Sequence, residues 1–475
     1  MSFRGIVMAD MNVLIEVRGG DPLSLSAVEA VAFSAGPAER VRRAEALLAD
    51  LPGLGVDVLD DIGPIPLASG PDDPVFLQSP GLFGMTFEGR LADTPGSERT
   101  FVVSAQVKPG ALARLEERDD IIVWPNSPIT LLGDGGAVGD GYFGLFDLAG
   151  SGGGTDCRPF RPGVSVDAIR QLLGVEALWR DGYRGQNVIV AVLDEGVNGA
   201  YPVVGGFEKD NQKLWGIAPI HSHGSMCAAD ILVAAPAARL YDYPFLGQPR
   251  SGGALAMFQA VLERRRRDGT PHLTNNSYGY VAVPDRATQP RHEIWDINHP
   301  LHRKIREVVA EGVACFFAAG NCGSECPSSV CHSSGTGRGR SIHASNSLSE
   351  VVTVAAVNSR HERIGYSSQG PGMFDPAKPD IAGYSHFFGN FGPGRPAGLA
   401  QPFDNGTSAA TPVVCGVAAA LASVSPGISP QEMKAVLMES AIDIGEPGPD
   451  HLTGSGVVNA AAAYQLLKRR RVPTA

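Results

Sequence analysis

The sequence predicts two α/β domains, a larger one with a doubly wound, mostly parallel sheet and a small ferredoxin-like one in front of it. Three observations lead to this prediction. From about residue 165, apolar strands without alternation recur between helical segments, as in a parallel sheet covered on both faces. The first 130 residues show shorter, partly alternating strands. A glycine-dense, charge-poor stretch, 133–160, lies between the two and is typical of a flexible connector.

The front domain, 1–132, is predicted from its alternating apolar residues. Strands are expected over 12–18, 56–59, 83–91 and 100–107, and in "IIVWP". Helices are expected over 25–48 and in "GALARLEERDD", where Leu112 and Leu115 have helical spacing. This order of strands and helices is typical of a ferredoxin-like unit.

The larger domain, 161–475, alternates between the two kinds of element along its whole length. Helices are predicted in "VSVDAIRQLLGVEALWRDG", "HGSMCAADILVAA", "GALAMFQAVLERRRR" and "LHRKIREVVAEG". Strands are predicted in "NVIVAVLDEG", "ARLYDYPFL", "HLTNNSYG", "VACFFAAGN" and "VVTVAAVN". In such a fold the chemistry is expected at the carboxyl ends of the strands.

Composition argues against several classes of function. The 475 residues carry 39 Lys and Arg against 50 Asp and Glu, a formal net charge of -11, so nucleic acid is not an expected partner. The basic runs at 264–267 and 468–471 follow helical stretches and are interpreted as solvated helix ends. No bulky apolar stretch predicts a membrane span, and no secretion signal is visible, so a cytoplasmic location is expected while export by another route stays open.

Six of the seven cysteines fall into two groups, and the odd total leaves at least one cysteine unpaired within the chain. Cys227, Cys315 and Cys415 lie in apolar runs and are predicted to be small core residues. The others of interest share one Gly/Ser-rich loop next to His332: Cys322, Cys326 and Cys331. A local disulfide, a metal site and free thiols all stay open for this loop, although its spacing matches no common zinc pattern. No cofactor is predicted; calcium is left open without an identified site.

Four polar side chains stand where the predicted fold would present them for chemistry. Asp194 ends the strand "VIVAVLD" and Asn321 ends "ACFFAAGN", whereas His223 and Ser408 each begin a helix of small residues. Each also has an ordinary explanation: a hydrogen-bonded buried acid, a turn asparagine, a capping histidine and an N-cap serine.

Together, the four side chains supply every part of a nucleophilic acyl-transfer site. Ser408 would attack, His223 would take its proton, and Asp194 would hold the imidazole in place. The Asn321 amide and the Ser408 N–H would bind the oxyanion. The order Asp, His, Ser differs from that of the α/β-hydrolases and of the chymotrypsin class, and no G-x-S-x-G motif surrounds Ser408.

Several segments of the chain resemble the subtilisin-like serine proteases (subtilases). They are "VIVAVLDEGV", "SHGSMCAADI", "NNSYG", "FFAAGN", "YSSQGPG", "KPDI", "NGTSAATPVVCGVAAAL" and "GSGVVNAAAAYQLL", and they extend from about residue 165 to 468. The Gly-Thr-Ser-Ala-x-x-Pro block around Ser408 is the most specific of them. The resemblance implies a subtilisin-like fold and the roles already given for the four side chains.

The resemblance also implies where a substrate would lie. The edge segment that pairs with an extended substrate backbone would be Ser277, Tyr278 and Gly279. The wall of the primary specificity pocket would be Ala318, Ala319 and Gly320.

The sequence departs from the family pattern at three places. His223 is followed by Gly-Ser-Met instead of the usual Gly-Thr-His, "AGYS" stands where Ala-Pro-Gly is usual, and the small residue after Asp194 is Glu195. None of these removes a proposed catalytic group. The added carboxylate of Glu195 is expected to raise the pKa of His223 or to favour a basic substrate side chain.

The closing part of the front domain, "TFVVSAQVKPGALARLEERDDIIVWPNSPITL", looks like the second half of a subtilisin-type propeptide. The resemblance implies an intramolecular inhibitor and folding chaperone whose tail runs through the active site. Self-cleavage is then expected between about Pro125 and Arg161. The alternative is a permanent accessory domain that is never removed.

The sequence thus predicts a serine endopeptidase that cleaves protein or peptide substrates through an acyl-enzyme. Two alternatives remain at this stage. One is a catalytically silent protein of the same fold that binds peptides. The other is an esterase or peptide ligase that uses the same acyl-enzyme.

Overall fold

The computed structural model describes residues 11–18, 53, 55–59, 65–67, 100–118, 121–132, 155–157, 163–209, 212–245, 247, 249–390 and 403–471. The chain divides into two compact units. Unit 1 comprises Met1–Pro128, Gln248–Gln259 and Asp285–Glu307, and unit 2 comprises Ile129–Gly247, Ala260–Pro284 and Val308–Ala475. The sequence-based division into front domain, linker and larger domain at 132 and 160 stays a prediction.

Unit 1 contains an antiparallel sheet. Its strands are β1 (Met11–Arg18), β2 (Val56–Val58), β3 (Ile65–Leu67), β4 (Thr100–Val107) and β5 (Ile121–Pro125). They lie in the order β2, β4, β1, β5, with β3 also paired to β4. Helix α1 (Pro109–Glu116) precedes β5 and packs Ala111 and Leu115 into the core of this sheet.

Most of the elements predicted for the front domain are confirmed where the structure describes them. The strands at 12–18, 56–59 and 100–107, the strand "IIVWP" and the helix in "GALARLEERDD" are present, with bounds that differ by no more than four residues from those expected. The predicted helix over 25–48 and strand over 83–91 lie outside the described residues. The strand order of the sheet is that of the predicted ferredoxin-like unit.

Unit 1 also contains a buried ion pair between β1 and helix α6 (Pro300–Ala310). The Glu16 carboxylate is fully buried and accepts hydrogen bonds from the Thr100 hydroxyl (2.6 Å), the Trp124 indole N–H (2.8 Å) and the Arg303 guanidinium (2.5 Å). Arg303 is also fully buried, so the two opposite charges compensate each other away from water.

Unit 2 is built around a nine-stranded sheet. Its strands lie in the order β10 (Val203–Gly206), β13 (Arg239–Pro244), β9 (Ile189–Asp194), β14 (Leu273–Asn276), β16 (Ala314–Ala318), β17 (Val352–Val357), β18 (Arg363–Ile364) and β7 (Thr155–Asp156), and β19 (Ile381–Tyr384) pairs with β17. All neighbours from β10 to β17, and β17 with β19, are parallel. Among the described strands of this sheet, only β17 and β18 pair in antiparallel fashion. The predicted doubly wound, mostly parallel α/β fold is confirmed.

The remaining elements of the described chain are shorter strands and helices. The strands are β6 (Thr130–Leu131), β8 (Val164–Ser165), β11 (Glu208–Lys209), β12 (Gln212–Lys213), β15 (Tyr278–Gly279) and β20 (Phe387–Phe388). The helices are α2 (Val166–Leu173), α3 (Glu176–Arg180), α4 (His223–Ala234), α5 (Ser251–Asp268), α7 (Thr407–Val424), α8 (Pro430–Glu439) and α9 (Ala460–Arg471).

Helix α7 lies in the middle of the core of unit 2. It packs against α4 and against strands β16, β17 and β19, and its residues from Thr407 to Leu421 are buried. The helix is long and apolar enough to cross a membrane, but 89% of it is buried inside the protein, as expected for a core helix. Its alanines and glycine allow the close packing: a Cβ at Gly416 would lie 2.2 Å from the carbonyl oxygen of Ile231 on α4.

We predict that Glu16→Gln destabilises unit 1. The change removes the charge of Glu16 beside the fully buried Arg303 guanidinium, and breaking such a buried pair costs about 3–5 kcal/mol. Denaturant unfolding measures the loss. The control is Glu116→Gln, which removes an exposed carboxylate of the same unit and should cost less than about 0.5 kcal/mol. Equal losses in the two variants would show that the buried pair does not hold this sheet to α6.

Candidate active site

Asp194 is the last residue of β9, at the carboxyl end of the parallel sheet, where the sequence places it. Its side chain is fully buried, and Oδ1 accepts a hydrogen bond from the Glu195 N–H at 2.8 Å. The buried carboxylate therefore has a backbone partner on one side. A second partner of the carboxylate is His223.

His223 begins helix α4, and the Ser222 hydroxyl caps this helix by accepting from the Ser225 N–H at 3.1 Å. The imidazole Nδ1 lies 2.8 Å from Oδ1 and 2.9 Å from Oδ2 of Asp194. Because an ionised carboxylate only accepts, Nδ1 carries the proton and Nε2 is left as the acceptor of the neutral ring. Nε2 has no hydrogen-bond partner among the described residues.

Gly224 makes this approach of α4 to β9 possible. A Cβ at this position would stand 2.4 Å from the Gly196 carbonyl oxygen and 3.2 Å from the Asp194 Cβ. Any larger residue would push the helix start away from the strand end. The glycine after the histidine is therefore required by packing.

Opposing effects act on the pKa of His223. Burial of the ring lowers the pKa, whereas the Asp194 carboxylate raises it through its charge and its hydrogen bond, and the charge of Glu195 raises it further. The net result is a pKa above the ordinary value for histidine. Glu195 is close enough for this because its Oε1 accepts the His223 backbone N–H.

Ser408 is the second residue of α7 and is buried. Pro412 has no N–H, so it cannot make the helical hydrogen bond to the Ser408 carbonyl oxygen. That oxygen instead accepts from the Ser277 hydroxyl at 3.3 Å and from the Cys227 thiol at 3.6 Å. Cys227 lies one turn after His223 and also contacts Asp194 Oδ2 at 3.8 Å, so the three proposed triad residues lie around one side chain.

The Ser408 hydroxyl donates a hydrogen bond of 3.5 Å to the Ser277 carbonyl oxygen. The bond expected between this hydroxyl and His223 Nε2 is not formed among the described residues. The Ser408 hydroxyl therefore has a long hydrogen bond to a backbone oxygen, and His223 Nε2 is left as a free acceptor.

Asn321 follows β16, and its amide is held by Thr407. Its Oδ1 accepts from the Thr407 N–H at 2.9 Å and from the Thr407 hydroxyl at 2.8 Å. This fixes which end of the amide carries the donor. Nδ2 then donates to the carbonyl oxygen of Leu132, whereas a hydrogen bond from the Ser408 N–H to that oxygen is not among those of the described residues.

Residues 130–132 of the chain's own sequence lie along the predicted substrate-binding edge. Leu131 pairs with Tyr278 and Thr130 with Gly279 in the antiparallel ladder of β6 and β15. The Leu132 N–H donates to the Ser277 carbonyl oxygen at 3.0 Å. Ile129 and Leu132 are buried, whereas Thr130 and Leu131 between them are partly exposed.

Gly406 makes room for the Leu132 carbonyl. Its φ is 79°, which only glycine adopts readily, and a Cβ there would stand 2.7 Å from the Leu132 oxygen and 3.0 Å from Asn321 Nδ2. Gly406 is therefore required twice: its backbone adopts a positive φ, and the absence of a Cβ leaves space for the Leu132 carbonyl oxygen.

The structure brings most of the predicted residues to one place. Asp194 with His223, and Ser408 with Ser277, are in direct contact, and Tyr278 and Gly279 pair with an extended segment. For the predicted pocket wall, Gly320 donates its N–H to the Thr407 hydroxyl at 3.2 Å. Contacts of Ala318, Ala319 and Gly320 with a substrate side chain stay a prediction.

Sequence reasoning missed residues that position this site. Asn346 donates from Nδ2 to the carbonyl oxygens of Tyr278 and Ala318, each at 2.8 Å, and so ties the two predicted walls together. Thr407 orients the Asn321 amide. The motif around Ser408 contains Thr407 and could have indicated it, whereas nothing local to Asn346 predicts its contacts.

The cysteine loop next to Asn321 is held by disulfides. Cys322 pairs with Cys331, which gives the local disulfide that the sequence left open. Cys326 pairs with Cys157, a partner 169 residues away that the sequence did not indicate. Cys331 Sγ lies 3.4 Å from the Asn321 carbonyl oxygen. Cys227, Cys315 and Cys415 are free and buried, as predicted.

Comparisons with known proteins show the family to which the chain belongs. The subtilase family (Peptidase_S8) matches residues 185–456, more than half of the chain. Subtilisin DY of Bacillus licheniformis is 26% identical over 305 residues, covering 62% of this chain and 97% of that protein. M-protease of Shouchella clausii is 30% identical over 295 residues, covering 59% of this chain and 65% of that protein. The chain belongs to the subtilase family of serine proteases, so proteins or peptides are its substrates.

A solved structure supports the fold over nearly the whole chain. It is that of fervidolysin from Fervidobacterium pennivorans, a keratinolytic enzyme related to subtilisin. The likeness covers 96% of this chain and 61% of that one, with a TM-score of 0.55 and 17% sequence identity.

We predict that Glu195→Gln moves the acid limb of the pH profile to lower pH. Glutamine keeps an acceptor for the His223 N–H but removes a charge that raises the pKa of His223, so the neutral imidazole persists to lower pH. The measurement is kcat/KM against pH on a peptide substrate. Glu446→Gln, which changes an exposed carboxylate at another place in unit 2, serves as the control. An unmoved acid limb in Glu195→Gln would contradict the prediction.

We also predict that the double change Cys322→Ala and Cys331→Ala lowers both stability and turnover. Opening the bridge, whose cysteines are nine residues apart, costs about 2–3 kcal/mol by the chain-entropy estimate. The freed loop no longer fixes Asn321, so kcat falls more than KM changes.

Removing the other bridge with Cys157→Ala and Cys326→Ala is the matched control. It should lower stability with little effect on kcat, because no contact of this bridge with Asn321 is present among the described residues. Equal effects of the two double variants on kcat would contradict a specific role of the Cys322–Cys331 bridge.

Proposed function

We propose that this chain hydrolyses peptide bonds through an acyl-enzyme formed on Ser408, and that its first substrate is its own Leu132–Gly133 bond. One observation carries the proposal. Residues 130–132 pair with Tyr278 and Gly279 as a bound peptide would, and the Leu132 carbonyl oxygen accepts from the Asn321 amide. The carbonyl of Leu132 is therefore held where an oxyanion would be stabilised.

The contacts support a role for each group in the reaction. His223 Nε2, free to accept, would take the proton of the Ser408 hydroxyl as its oxygen attacks the Leu132 carbonyl carbon. Asp194 would hold the protonated ring through Nδ1. The negative oxygen would be stabilised by Asn321 Nδ2 and by the Ser408 N–H as the geometry tightens.

The tetrahedral intermediate would then break the bond to Gly133. The imidazolium of His223 gives its proton to the departing nitrogen, which leaves Leu132 bound to Ser408 as an ester. Water, deprotonated by the neutral His223, attacks this ester and restores the Ser408 hydroxyl. The same cycle would apply to a protein substrate after residues 129–132 leave the site.

The same contacts support the N-terminal region as an intramolecular inhibitor. A segment that fills the substrate edge and the oxyanion pocket excludes other peptides from both. Under this proposal, cleavage falls at the Leu132–Gly133 bond, inside the interval from Pro125 to Arg161 that the sequence predicts. The alternative of an accessory domain that is never removed predicts an uncut chain.

The cytoplasmic location expected from the sequence stays a prediction. The bridges Cys157–Cys326 and Cys322–Cys331 favour an oxidising compartment instead, since disulfides rarely persist in reducing ones.

We expect purified wild type to convert with time into two fragments, 1–132 and 133–475. Ser408→Ala should stay full length, because no acyl-enzyme can form. Intact-mass spectrometry follows the conversion and gives the position of the cut. The matched control is Ser423→Ala, a partly exposed serine near the other end of the same helix, and this variant should be cleaved at the wild-type rate.

Leu132→Asp tests the position independently. The Leu132 side chain is 3% exposed, so a charge there is costly and the cut at residue 132 should slow by at least about a hundredfold. Cleavage of Ser408→Ala at the wild-type rate, or a wild-type cut elsewhere that Leu132→Asp leaves unchanged, would overturn the proposal.

A further inference from the structure

Gly406, which precedes α7, has a backbone conformation that needs support from its neighbours. Its φ of 79° and ψ of 168° fall in a region that is almost exclusive to glycine. Glycine is also the residue whose backbone moves most freely. Because Thr407 and Ser408 follow directly, the geometry of the proposed site depends on contacts that fix this one residue.

Two buried hydroxyl groups hold the peptide groups on either side of the Gly406 Cα. The Gly406 N–H donates to the Tyr366 hydroxyl at 2.8 Å, and the Ser385 hydroxyl donates to the Gly406 carbonyl oxygen at 3.0 Å. The two hydroxyl oxygens lie 3.2 Å apart. Tyr366 is 5% exposed and Ser385 is fully buried. Since each peptide group is planar, holding the group before the Cα and the group after it fixes both φ and ψ.

The two residues that carry these hydroxyl groups are anchored in the sheet and in the cysteine loop. Ser385 directly follows β19, and its N–H donates at 2.8 Å to the carbonyl oxygen of Val357, the last residue of β17. The Tyr366 carbonyl oxygen accepts from the Gly323 N–H of the cysteine loop at 2.7 Å. The Tyr366 hydroxyl also lies 3.3 Å from His386 Nε2. Rigid parts of unit 2 therefore set the positions of both hydroxyl groups.

The peptide group that Ser385 holds also orients the Asn321 amide. The Gly406 carbonyl and the Thr407 N–H belong to this one planar group, and the N–H donates to Asn321 Oδ1 at 2.9 Å. A rotation of the plane would release the amide, whose Nδ2 contacts the Leu132 carbonyl oxygen. A hydrogen bond at the carbonyl end of a peptide group also polarises the bond that its N–H donates. The conformation of Gly406 is thus transmitted to the proposed oxyanion donor.

Ser385 belongs to one of the departures from the family pattern. It is the last residue of "AGYS", which stands where Ala-Pro-Gly is usual. None of these three usual residues carries a hydroxyl group. The departure therefore supplies one of the two contacts that fix Gly406.

We propose that Tyr366 and Ser385 are positioning residues, which fix the two peptide groups of Gly406 and so hold the Asn321 amide where it stabilises the oxyanion. They act through Gly406 and not on the substrate itself. The inference rests on the proposed function, because it assigns both residues to the oxyanion pocket of the acyl-transfer reaction. Loss of either hydroxyl weakens stabilisation of the transition state and leaves substrate binding unchanged, since the backbone pairing at β15 does not involve Gly406.

The test compares variants that each lose one hydroxyl group. In Tyr366→Phe and in Ser385→Ala, we expect kcat on a peptide substrate to fall about tenfold or more, with KM within about twofold of wild type. Tyr384→Phe is the matched control, because this buried tyrosine of β19 places its hydroxyl 2.7 Å from His361 Nε2. Its kcat should stay within about twofold of wild type. Hydrogen exchange of the peptide that contains Gly406 should be faster in Tyr366→Phe and Ser385→Ala only.

An active wild type with an unchanged kcat in Tyr366→Phe and Ser385→Ala would overturn the inference and leave the proposed function intact. A change in KM alone, or an equal loss of kcat in Tyr384→Phe, would overturn it as well. If one variant does not fold, the other decides. A wild type without activity that depends on Ser408 would instead overturn the proposed function. Hydrogen exchange then decides whether the two hydroxyl groups fix Gly406: faster exchange without them supports this, and unchanged exchange rejects it.

Discussion

The amide of Asn321 is the contact on which the arrangement of the site depends. Its oxygen is fixed by the backbone and hydroxyl of Thr407, so its nitrogen faces the Leu132 carbonyl. Three parts of the chain that are far apart in sequence meet at this one group: the end of β16, the start of α7 and residues 130–132. A buried backbone N–H or C=O must have a hydrogen-bond partner. The Asn321 amide supplies one to the Thr407 N–H and one to the Leu132 carbonyl oxygen.

The parallel sheet and helix α7 explain why these groups converge. Parallel strands end at one edge, so Asp194 and Asn321 project on the same side although 127 residues separate them. Helix α7 begins at that edge, where the positive φ of Gly406 allows the chain to turn into the helix. Because Pro412 has no N–H, the Ser408 carbonyl oxygen accepts from the Ser277 hydroxyl and the Cys227 thiol instead. The small residues of α7 then allow the helix to pack closely on α4, which carries His223.

The parts of this arrangement that the sequence predicted are those encoded locally. Uninterrupted apolar strands predicted the parallel sheet, and the polar residues at the ends of two of these strands indicated Asp194 and Asn321 as site residues. The Gly-Thr-Ser-Ala-x-x-Pro block indicated Ser408 through its resemblance to a known family.

The parts that the sequence did not predict are pairings between distant residues. Cys157 and Cys326, Glu16 and Arg303, and Tyr366 and Gly406 each meet only in the folded chain. No hydrophobic period or sequence motif marks such pairs.

The sequence also predicted no more than a broad interval for self-cleavage. The contact of Leu132 with Asn321 depends on the register of β6 with β15, which tertiary packing sets.

If Ser408 is a nucleophile that His223 activates and that residues 129–132 cover, its reaction with a fluorophosphonate should depend on both. Peptide mapping after the reaction locates the adduct. We expect a covalent adduct on Ser408 in the 133–475 fragment after residues 1–132 are removed, little adduct in the uncut chain, and none in His223→Ala. An adduct on another residue, or equal labelling of Ser408 in His223→Ala, would contradict it.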